Sequence, residues 1–293
     1  MKVAVLGAGG MLGRELVSAL GRASDKVAAA TRSECDVADL GATIRFIRQA
    51  QPELVINAAA YTDVDGAQRD ADVAYRINAM GARNAAVAAA SVGASVLYVS
   101  SDYVFDGAKG SGYDEFDSPN PLSVYGRSKY AGEVLTRTAC PRCYVVRSQW
   151  LYGPGGRNFV DSILRLARER PRLEIVNDQF GSPTYAADLA AAIVTLVREP
   201  AYGTYHLTNG GVCSWFDFAR EVLARAGIEG VAVHPVSTAQ LGRPAPRPPY
   251  SPLDNLMWRL EGRAPRRHYR EALEAYLGQG LNSIHSASEE DSR

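Results

Sequence analysis

Short, continuous apolar runs alternate with longer stretches of helical periodicity in the first half of the chain. The apolar runs predict strands at Val3–Leu6, Val27–Ala30, Leu54–Asn57, Val96–Ser100 and Tyr144–Val146. Helical patterns lie between them at Met11–Leu20, Leu40–Gln49, Ala67–Ser91 and Val124–Thr136. Strands that are apolar on both faces and separated by helices are typical of a parallel sheet covered on both sides. The pattern therefore predicts an α/β fold, a doubly wound (Rossmann-like) parallel sheet whose ligands bind beyond the carboxyl ends of the strands.

The rhythm changes after Trp150, where helical patterns are joined by shorter apolar runs. The helical patterns are Asn158–Glu169, Ala186–Arg198, Phe216–Ala226 and Arg267–Leu277, and the runs are Leu173–Val176 and Tyr205–Leu207. A proline-rich segment from Arg243 to Pro252 must be extended, because proline is excluded from helix interiors. We expect a dinucleotide-binding domain over residues 1–150 and a smaller substrate-binding lobe over 151–285 that partly returns to the sheet. A polar, disordered tail is expected over 286–293.

Charge and composition limit the partners that the protein can have. The 293 residues include 32 Lys and Arg against 32 Asp and Glu, so the formal net charge is zero. Nucleic acids and anionic membranes select for a basic field, so neither is expected as a partner. No apolar run approaches the roughly 20 residues that span a bilayer. The first residues show neither a basic leader nor a small-residue cleavage site, so we expect a cytoplasmic protein.

Cys140 and Cys143 have the spacing of a redox pair or of half a zinc site. The chain has no second such pair, and its four histidines are scattered. The pair also leads into a predicted strand, whereas a thioredoxin-like motif should open a helix. We therefore expect ordinary thiols here.

A cluster of glycines follows the first predicted strand and opens the first predicted helix. In the segment from Gly7 to Gly13, Gly7 permits a tight turn, Gly10 lets the backbone approach a pyrophosphate, and Gly13 allows close packing of helix on strand. The helix N-terminus adds free N–H groups and a favourable dipole for phosphates. Glycines at this spacing, in a βαβ pattern, predict a dinucleotide-binding site.

The end of the second predicted strand bears on which dinucleotide binds. An NAD-specific site usually places an acidic residue there, on the ribose 2′-hydroxyl. This chain has Thr31 and Arg32 instead, with no carboxylate before Glu34. Arg32 is either a partner for a 2′-phosphate or a solvated loop arginine, and Asp36 stands where an acid often contacts the adenine amino group. We expect NADPH as the cofactor, with NADH as the alternative.

Candidate catalytic groups follow from the fourth strand and the helix after it. The fourth predicted strand ends near Ser101, whose hydroxyl could hydrogen-bond to a substrate carbonyl. Tyr125 and Lys129 are one helical turn apart, so both face the same way. A phenol is a poor proton relay at neutral pH unless its pKa falls, and an adjacent ammonium and a cationic oxidised nicotinamide are expected to lower it. Either residue alone would be an ordinary surface group, and the combination with the glycine turn is what indicates catalysis.

These residues together resemble the extended short-chain dehydrogenase/reductase family, whose catalytic group is Ser or Thr with Tyr and Lys. Further motifs, in order over nearly the whole chain, look like those of the dTDP-4-dehydrorhamnose reductase family. They are Asn57–Asp65, Ser101–Gly107, Pro121–Lys129, Arg147–Trp150, Asn177–Thr184 and Arg247–Ser251. The resemblance implies reduction of dTDP-4-dehydro-L-rhamnose to dTDP-L-rhamnose, a cell-envelope precursor, by hydride transfer from NADPH or NADH.

The resemblance also implies roles for individual residues. Tyr125 would donate the proton, and Lys129 would adjust the pKa of the Tyr125 phenol. Ser101 stands where the family usually has Thr. The residues that bind substrate would be Ser101, Asp102, Trp150 and, towards the diphosphate, Arg247. With Gly7 and Arg32 from the patterns above, the residues that bind the cofactor would be Gly10, Met11, Leu12, Thr31, Asp36, Val37, Ala60, Tyr61, Thr62, Val99, Tyr125 and Lys129.

The chain departs from the family pattern at two places. Some members bind Mg²⁺ through glutamates at a dimer contact, and Glu15 fits one such position. The second position falls in the stretch from Tyr185 to Asp188, which has no glutamate, so we expect no metal. Gln149 replaces the hydroxyl residue usual before Trp150. The expected partners are a dTDP-sugar and, as one option, a second copy of the chain.

Two alternatives stay open at this stage. The chain could reduce a different dTDP-4-keto-deoxysugar, because sugar stereochemistry is read by a few loop side chains. It could also be a non-catalytic, NADP-binding regulatory subunit resembling that of methionine adenosyltransferase, since a motif can persist without turnover.

Overall fold

The computed structural model of the protein describes residues 1–278, so the predicted tail over 286–293 lies outside the described residues. The strands are β1 (Lys2–Leu6), β2 (Lys26–Ala30), β3 (Leu54–Asn57), β4 (Ser95–Ser101), β5 (Cys143–Ser148), β6 (Leu151–Tyr152), β7 (Arg172–Val176), β8 (Phe180–Gly181), β9 (Thr184–Tyr185), β10 (Gly203–His206), β11 (Cys213–Ser214) and β12 (Ala232–Val236). The α-helices are α1 (Met11–Arg22), α2 (Leu40–Ala50), α3 (Val64–Arg69), α4 (Ala71–Tyr75), α5 (Gly81–Ser91), α6 (Val124–Ala139), α7 (Phe159–Glu169), α8 (Ala186–Leu196), α9 (Trp215–Arg225), α10 (Thr238–Leu241) and α11 (Leu256–Leu260). Residues 269–278 are also helical.

A six-stranded sheet with the order β2-β1-β3-β4-β5-β10 forms the centre of the molecule, and every neighbouring pair in it is parallel. The α/β fold with a parallel sheet is therefore confirmed, and the five strands predicted in the first half all form. The strand order reverses between β1 and β3, and such a switch point opens a crevice at the carboxyl ends of the strands. The register aligns Leu6 with Asn57 and Ser101 with Ser148 at that edge.

Helices cover both faces of the sheet, as the unalternated apolar strands require. On one face α1 packs against α8, and Leu16, Leu20 and Ile193 are fully buried there with Val3 and Val5 of β1. On the other face α2, α5 and α6 pack side by side, and small alanines of α5 let it lie close to the strands. Packing on both faces thus holds the strands in place and keeps their carboxyl ends together at one edge of the sheet.

The single helix predicted over Ala67–Ser91 is wrong. The chain instead forms α3, α4, a π-helical turn at Arg76–Met80 and then α5. Asp63 and Asp70 cap α3 and α4 by accepting backbone N–H groups, and Asp70 has a non-helical φ of −132°. Aspartate competes for backbone hydrogen bonds and favours caps over helix interiors, which is why the helix is interrupted there.

The second half builds a smaller layer and also returns to the sheet. Strands β7 and β12 pair in parallel, and α7 and α9 cover them over an apolar cluster that includes Tyr152 and Phe218. Strand β10 joins the central sheet beside β5. The domain boundaries expected from the sequence stay a prediction. Among residues 1–278, no helix is long and apolar enough to cross a bilayer, and all four cysteines are free and buried.

Candidate active site

The glycine turn between β1 and α1 forms an open cradle at the carboxyl edge of the sheet. Gly7 has a φ of +77°, which glycine adopts readily, and it lies against the backbone of Ala59. A methyl group on Gly13 would overlap the Gly7 carbonyl oxygen, so this glycine lets α1 pack on the turn. A methyl group on Gly10 would meet only that oxygen, at 3.4 Å, and no side chain of the described residues caps α1. The N–H groups that begin α1 are therefore free to bind a phosphate.

The residues expected around this cradle take different positions. Leu12 is buried in the core below α1, while Met11 lies against the loop that holds Gly153 and Gly156. The backbone N–H and hydroxyl of Thr31 both donate to Glu34 Oε2 at 2.8 Å, which closes the turn after β2. The Leu12 side chain thus supports the cradle from the core, and the contact of its first-turn N–H with the cofactor stays a prediction.

A cavity of about 420 Å³ lies beside this turn. Its lining residues are Arg32, Asp36, Ala38, Asp39, Tyr61, Val73, Arg76 and Ile77. Asp36 accepts a hydrogen bond from the Ala38 N–H at 3.0 Å, and Asp39 caps α2. Arg32 and Arg76 are exposed at this cavity, and no ion pair to either guanidinium is found within residues 1–278. Sequence analysis missed Arg76, because no local motif marks a residue of the π-helical turn.

Asn78, in the same π-helical turn, connects the cofactor side to the catalytic helix. Its amide oxygen accepts the Tyr61 N–H at 2.8 Å, and its amide nitrogen donates to the Tyr61 carbonyl and to Ser128 Oγ. Ser128 in turn donates to the Tyr125 carbonyl oxygen at 2.7 Å. Tyr98 Oη donates to the Asn78 carbonyl at 2.9 Å. These bonds hold the segment of Ala60, Tyr61 and Thr62 in a fixed position relative to α6.

The start of α6 is held close to the end of β4. Ser123 caps α6 by accepting the Gly126 N–H at 3.1 Å. A methyl group on Gly126 would overlap the carbonyl oxygen of Tyr103, so only glycine permits this approach. The Tyr103 and Tyr125 rings meet edge to face, with centroids 5.4 Å apart.

The three predicted catalytic side chains meet at this junction. The Tyr125 and Ser101 side chains are hydrogen-bonded to each other. Lys129 Nζ donates to the Val99 carbonyl oxygen at 2.6 Å and lies 4.3 Å from the centroid of the Tyr98 ring. Ser101 and the Lys129 amine are thus both held at the last residues of β4, and Tyr125 lies one helical turn before Lys129 on α6.

Burial is the main cause of the pKa shifts of Tyr125 and Lys129. It raises the pKa of Tyr125 to about 12, although the hydrogen bond with Ser101 opposes the rise. Burial also lowers the pKa of Lys129 to about 7, and the charge of Glu133 opposes that change. In the chain by itself the pKa of Tyr125 is raised by burial, and the Lys129 amine donates to the Val99 carbonyl. The lowering expected from Lys129 together with an oxidised nicotinamide stays a prediction.

Asp102 ties the end of β4 to the proline-rich segment. It is almost fully buried and accepts hydrogen bonds from Ser101 Oγ at 3.0 Å and Ser251 Oγ at 2.7 Å. Burial raises its pKa to about 6, against the effect of these hydroxyl groups. The neighbouring segment is extended as expected, since Phe180 donates to the Pro249 carbonyl and Ser251 donates to the Phe180 carbonyl.

A second cavity, of about 260 Å³, opens beyond the catalytic group. Its lining residues are Tyr103, Phe159, Glu174, Ile175, Val176, Gln179, Trp215, Leu241, Arg243 and Arg247. Trp150 stacks on Trp215 with centroids 3.4 Å apart, and Trp150 has a φ of +48°. Trp215 also packs on Phe159 at 4.4 Å. It is thus both a packing residue, as its place at a helix start indicates, and part of the cavity wall.

Arg247 reaches this cavity from the proline-rich segment. Its Nη1 and Nη2 donate to the two oxygens of Asp65 at 3.1 and 2.9 Å. Arg243 Nη1 lies 3.7 Å from the same carboxylate. A forked pair of this kind fixes the guanidinium plane. Arg247 therefore has a defined orientation at the cavity wall, and its contact with a diphosphate stays a prediction.

Two further positions bear on the departures noted in the sequence. Gln149 is 2% exposed, and neither of its amide atoms has a hydrogen-bond partner among the described residues. Both oxygens of Asp188 are bound by Arg267, at 2.6 and 3.0 Å, and Asn209 donates to one of them at 2.7 Å. A carboxylate that is paired in this way is a poor metal ligand.

The donor set at the crevice fits a dinucleotide. The open N-terminus of α1 suits a pyrophosphate, and the cavity beside it combines Asp36 with two unpaired guanidinium groups. The buried Nδ2 of Asn57, at the end of β3, has no partner among the described residues. A buried polar group without a partner calls for an explanation, and a ligand across the strand ends would provide one.

Comparison with known proteins gives consistent matches over nearly the whole chain. The family model described as the RmlD substrate binding domain matches residues 1–281. The chain is 44% identical to the dTDP-4-dehydrorhamnose reductase of Mycobacterium tuberculosis (strain ATCC 25618 / H37Rv), over 96% of this chain and 94% of that protein.

Solved structures agree with that match. The dTDP-4-dehydrorhamnose reductase of Bacillus anthracis str. Ames, in complex with NADP, superposes with a TM-score of 0.92 at 42% identity, covering 95% of this chain and 100% of that one. The ortholog from Clostridium acetobutylicum ATCC 824 gives a TM-score of 0.93 at 40% identity, covering 96% and 100%.

Proposed function

The chain belongs to the RmlD substrate binding domain family, and we propose that it is an NADPH-dependent reductase of dTDP-4-dehydro-L-rhamnose that forms dTDP-L-rhamnose. The observation that carries this proposal is that Ser101, Tyr125 and Lys129 lie where the end of β4 and the start of α6 come together, at the same edge of the sheet as the uncapped start of α1. A ketone reductase needs a proton donor next to a dinucleotide cradle, and this edge of the sheet combines both.

Each catalytic side chain has a role that follows from its environment. Tyr125 donates the proton to the oxygen of the reduced carbonyl, because a phenol with a raised pKa is fully protonated at neutral pH. Ser101 hydrogen-bonds to the same oxygen and orients Tyr125. Lys129 supports the developing phenolate with its positive charge. The nicotinamide, when bound, supplies the hydride that reduces the C4 ketone.

The cofactor and the sugar nucleotide take opposite sides of the catalytic group. The Gly7–Gly13 turn binds the pyrophosphate of the cofactor, and Arg32 with Asp36 binds the adenosine end. Asp102 and Trp150 contact the deoxysugar, while Arg247, held by Asp65, faces the diphosphate of the substrate. The cytoplasmic location rests on the sequence, and the homodimer expected as one option stays a prediction.

The two alternatives are less well supported. The matched relatives named above are dTDP-4-dehydrorhamnose reductases, and neither a different ketosugar nor a regulatory subunit is favoured by them. The catalytic side chains are also assembled, which a purely regulatory subunit would not need.

The test is a spectrophotometric assay of the purified protein. With dTDP-4-keto-6-deoxy-L-mannose and NADPH, we expect loss of absorbance at the reduced nicotinamide band that depends on the sugar. The control is Tyr125→Phe, which should bind NADPH and turn over slowly. Binding of NADPH without any oxidation would refute the proposed substrate, and a panel of other dTDP-4-keto sugars and a pull-down would then separate the two alternatives.

A further inference from the structure

A buried charged cluster lies behind the catalytic lysine and has no role in the chemistry described so far. Glu133 is 0% exposed and Arg147 is 3% exposed. Arg147 Nε donates to Glu133 Oε1 at 2.9 Å, and Arg147 Nη2 donates to Oε2 at 2.8 Å. Ser100 Oγ donates to Glu133 Oε1 at 2.6 Å. Two buried charges persist only when they are paired and hydrogen-bonded in this way.

The cluster continues into β10. Arg147 Nη1 lies 3.4 Å from His206 Nε2, which must accept because a guanidinium has no acceptor. His206 Nδ1 then donates to the Tyr113 carbonyl at 3.0 Å. Burial and the charge of Arg147 lower the pKa of His206 to about 3, so this histidine is neutral. Arg137 of α6 also reaches the cluster, because its Nη2 lies 3.4 Å from Glu133 Oε2. The Glu133 carboxylate therefore faces two guanidinium groups, the buried one of Arg147 and the partly exposed one of Arg137.

The position of Glu133 relates the cluster to the active site. Glu133 is one helical turn after Lys129 on α6, so the two side chains lie on the same face. Its partner Ser100 lies on β4 between Val99, whose carbonyl accepts from Lys129, and the catalytic Ser101. The Glu133 carboxylate thus joins α6 to the stretch of β4 that carries the catalytic hydroxyl.

The groups around Lys129 leave Glu133 as its nearby negative charge. From β4 the ring of Tyr98 faces the amine at 4.3 Å, and its phenol is neutral because burial raises its pKa. Tyr125 of α6 is neutral for the same reason. Arg147 of β5 adds a positive charge behind Glu133. Burial disfavours the ammonium, and only Glu133 opposes it.

We propose that Glu133 is a positioning residue for the reduction, whose carboxylate keeps Lys129 as an ammonium and holds the end of β4 against α6. Arg147 sets the strength of this effect by neutralising part of the Glu133 charge. The inference rests on the proposed function for its link to turnover, but the effect of Glu133 on Lys129 can be measured without turnover.

The chain offers a direct readout, because its only lysines are Lys2, Lys26, Lys109 and Lys129. Labelling with ¹³C-lysine and titration by NMR would follow each Cε signal, with Lys129→Arg identifying the fourth. In Glu133→Gln we expect the Lys129 midpoint to fall by about one pH unit. In Arg147→Met we expect it to rise, because Glu133 then faces only one guanidinium, that of Arg137.

Kinetics should follow the same shift where the protein turns over. The alkaline limb of the kcat profile should move to lower pH in Glu133→Gln and to higher pH in Arg147→Met. The matched control is Glu169→Gln, which removes an exposed glutamate that pairs with Arg165 on α7. It should change neither the NMR midpoint nor the kinetic limb.

The double variant Glu133→Gln/Arg147→Met covers the case in which a single variant fails to fold. It removes both members of the buried Glu133–Arg147 pair, so neither is left without the other, and its Lys129 midpoint should lie between those of Glu133→Gln and the unmodified protein. Unchanged midpoints, or shifts of the same sign in the two single variants, would overturn the proposal. Shifted midpoints without any turnover would support it and count against the proposed substrate instead.

Discussion

The cavity of about 420 Å³ beside the turn after β2 is where we propose that the adenosine end of the cofactor binds. Removal of its two guanidinium groups should change which cofactor the enzyme prefers. Arg32 and Arg76 line this cavity from different segments, and neither has an ion pair among the described residues. The 2′-phosphate distinguishes NADPH from NADH, and a guanidinium forks onto phosphate oxygens. We expect Arg32→Ala and Arg76→Ala each to weaken NADPH binding and leave NADH binding nearly unchanged.

The expected magnitude follows from the exposure of both arginines. A charged hydrogen bond contributes about 1.5–3 kcal/mol when it is shielded, but solvent screens exposed charges and leaves about 1 kcal/mol per arginine. That loss corresponds to about a five-fold decrease in the NADPH to NADH preference for each single variant. The double variant should lose about 2 kcal/mol, or about 30-fold, if the two contacts are independent.

The assay compares kcat/KM for NADPH and NADH with the same sugar substrate, and calorimetric binding of 2′,5′-ADP and 5′-ADP repeats the comparison without chemistry. Arg48→Ala is the matched control, because Arg48 is an exposed arginine in the last turn of α2 that does not line the cavity. A double variant with an unchanged preference would refute the reasoning. A loss confined to Arg32→Ala would assign the 2′-phosphate to Arg32 alone.

Three further predictions concern the catalytic group and its support. Tyr125→Phe should lower kcat by about 10²- to 10⁴-fold and leave NADPH affinity nearly intact, because only the donated proton is lost; equal kcat in the two proteins would contradict the role. Gly13→Ala should destabilise the turn and weaken NADPH binding, because the added methyl group overlaps the Gly7 carbonyl oxygen, and thermal unfolding with cofactor titration would show both effects. The pKa of Asp102 is raised to about 6, because the folded protein favours its protonated form. The stabilisation from protonated Asp102 should therefore be present below about pH 4 and be lost as the pH rises to about 6. Asp102→Asn should remove that part of the pH dependence, by about 1–3 kcal/mol in urea unfolding, and a parallel profile in both proteins would contradict the burial argument.

The parts of the fold that could be predicted from the sequence are those set by local pattern. The central strands are buried on both faces, so their apolar runs have clear limits, and β3 is predicted at its observed bounds. The glycine turn was also predictable, because Gly7 and Gly13 meet needs that only glycine satisfies. Local chemistry therefore carried both the sheet and the cofactor cradle.

The features that the sequence did not predict have two causes. Either a capping residue overrides a helical pattern, or the residues involved lie far apart along the chain. The Ala67–Ser91 pattern is helical throughout, but the capping aspartate Asp70 breaks it. Arg76 reaches the cavity that Arg32 also lines only after the π-helical turn has packed between α4, α5 and α6. Glu133 and Arg147 are ordinary charged residues until β5 is placed beside β4 and under α6. No pattern within one segment contains these pairings.

The protonation state of Tyr125 shows that contacts between separate segments, and not local spacing alone, decide the chemistry. The sequence spacing correctly places Tyr125 and Lys129 on one face of α6. That proximity predicts a lowered pKa for the Tyr125 phenol. In the folded protein the Lys129 amine is bonded to the Val99 carbonyl, and burial acts on both groups. The result is a neutral phenol hydrogen-bonded to Ser101, which is the form that donates a proton to a reduced ketone. A phenolate at neutral pH would instead favour the reverse oxidation of an alcohol, because it accepts protons. The environment of Tyr125 thus suits the reductive direction, and it leaves the Lys129 ammonium, which Glu133 keeps charged, to support the negative charge only as it develops.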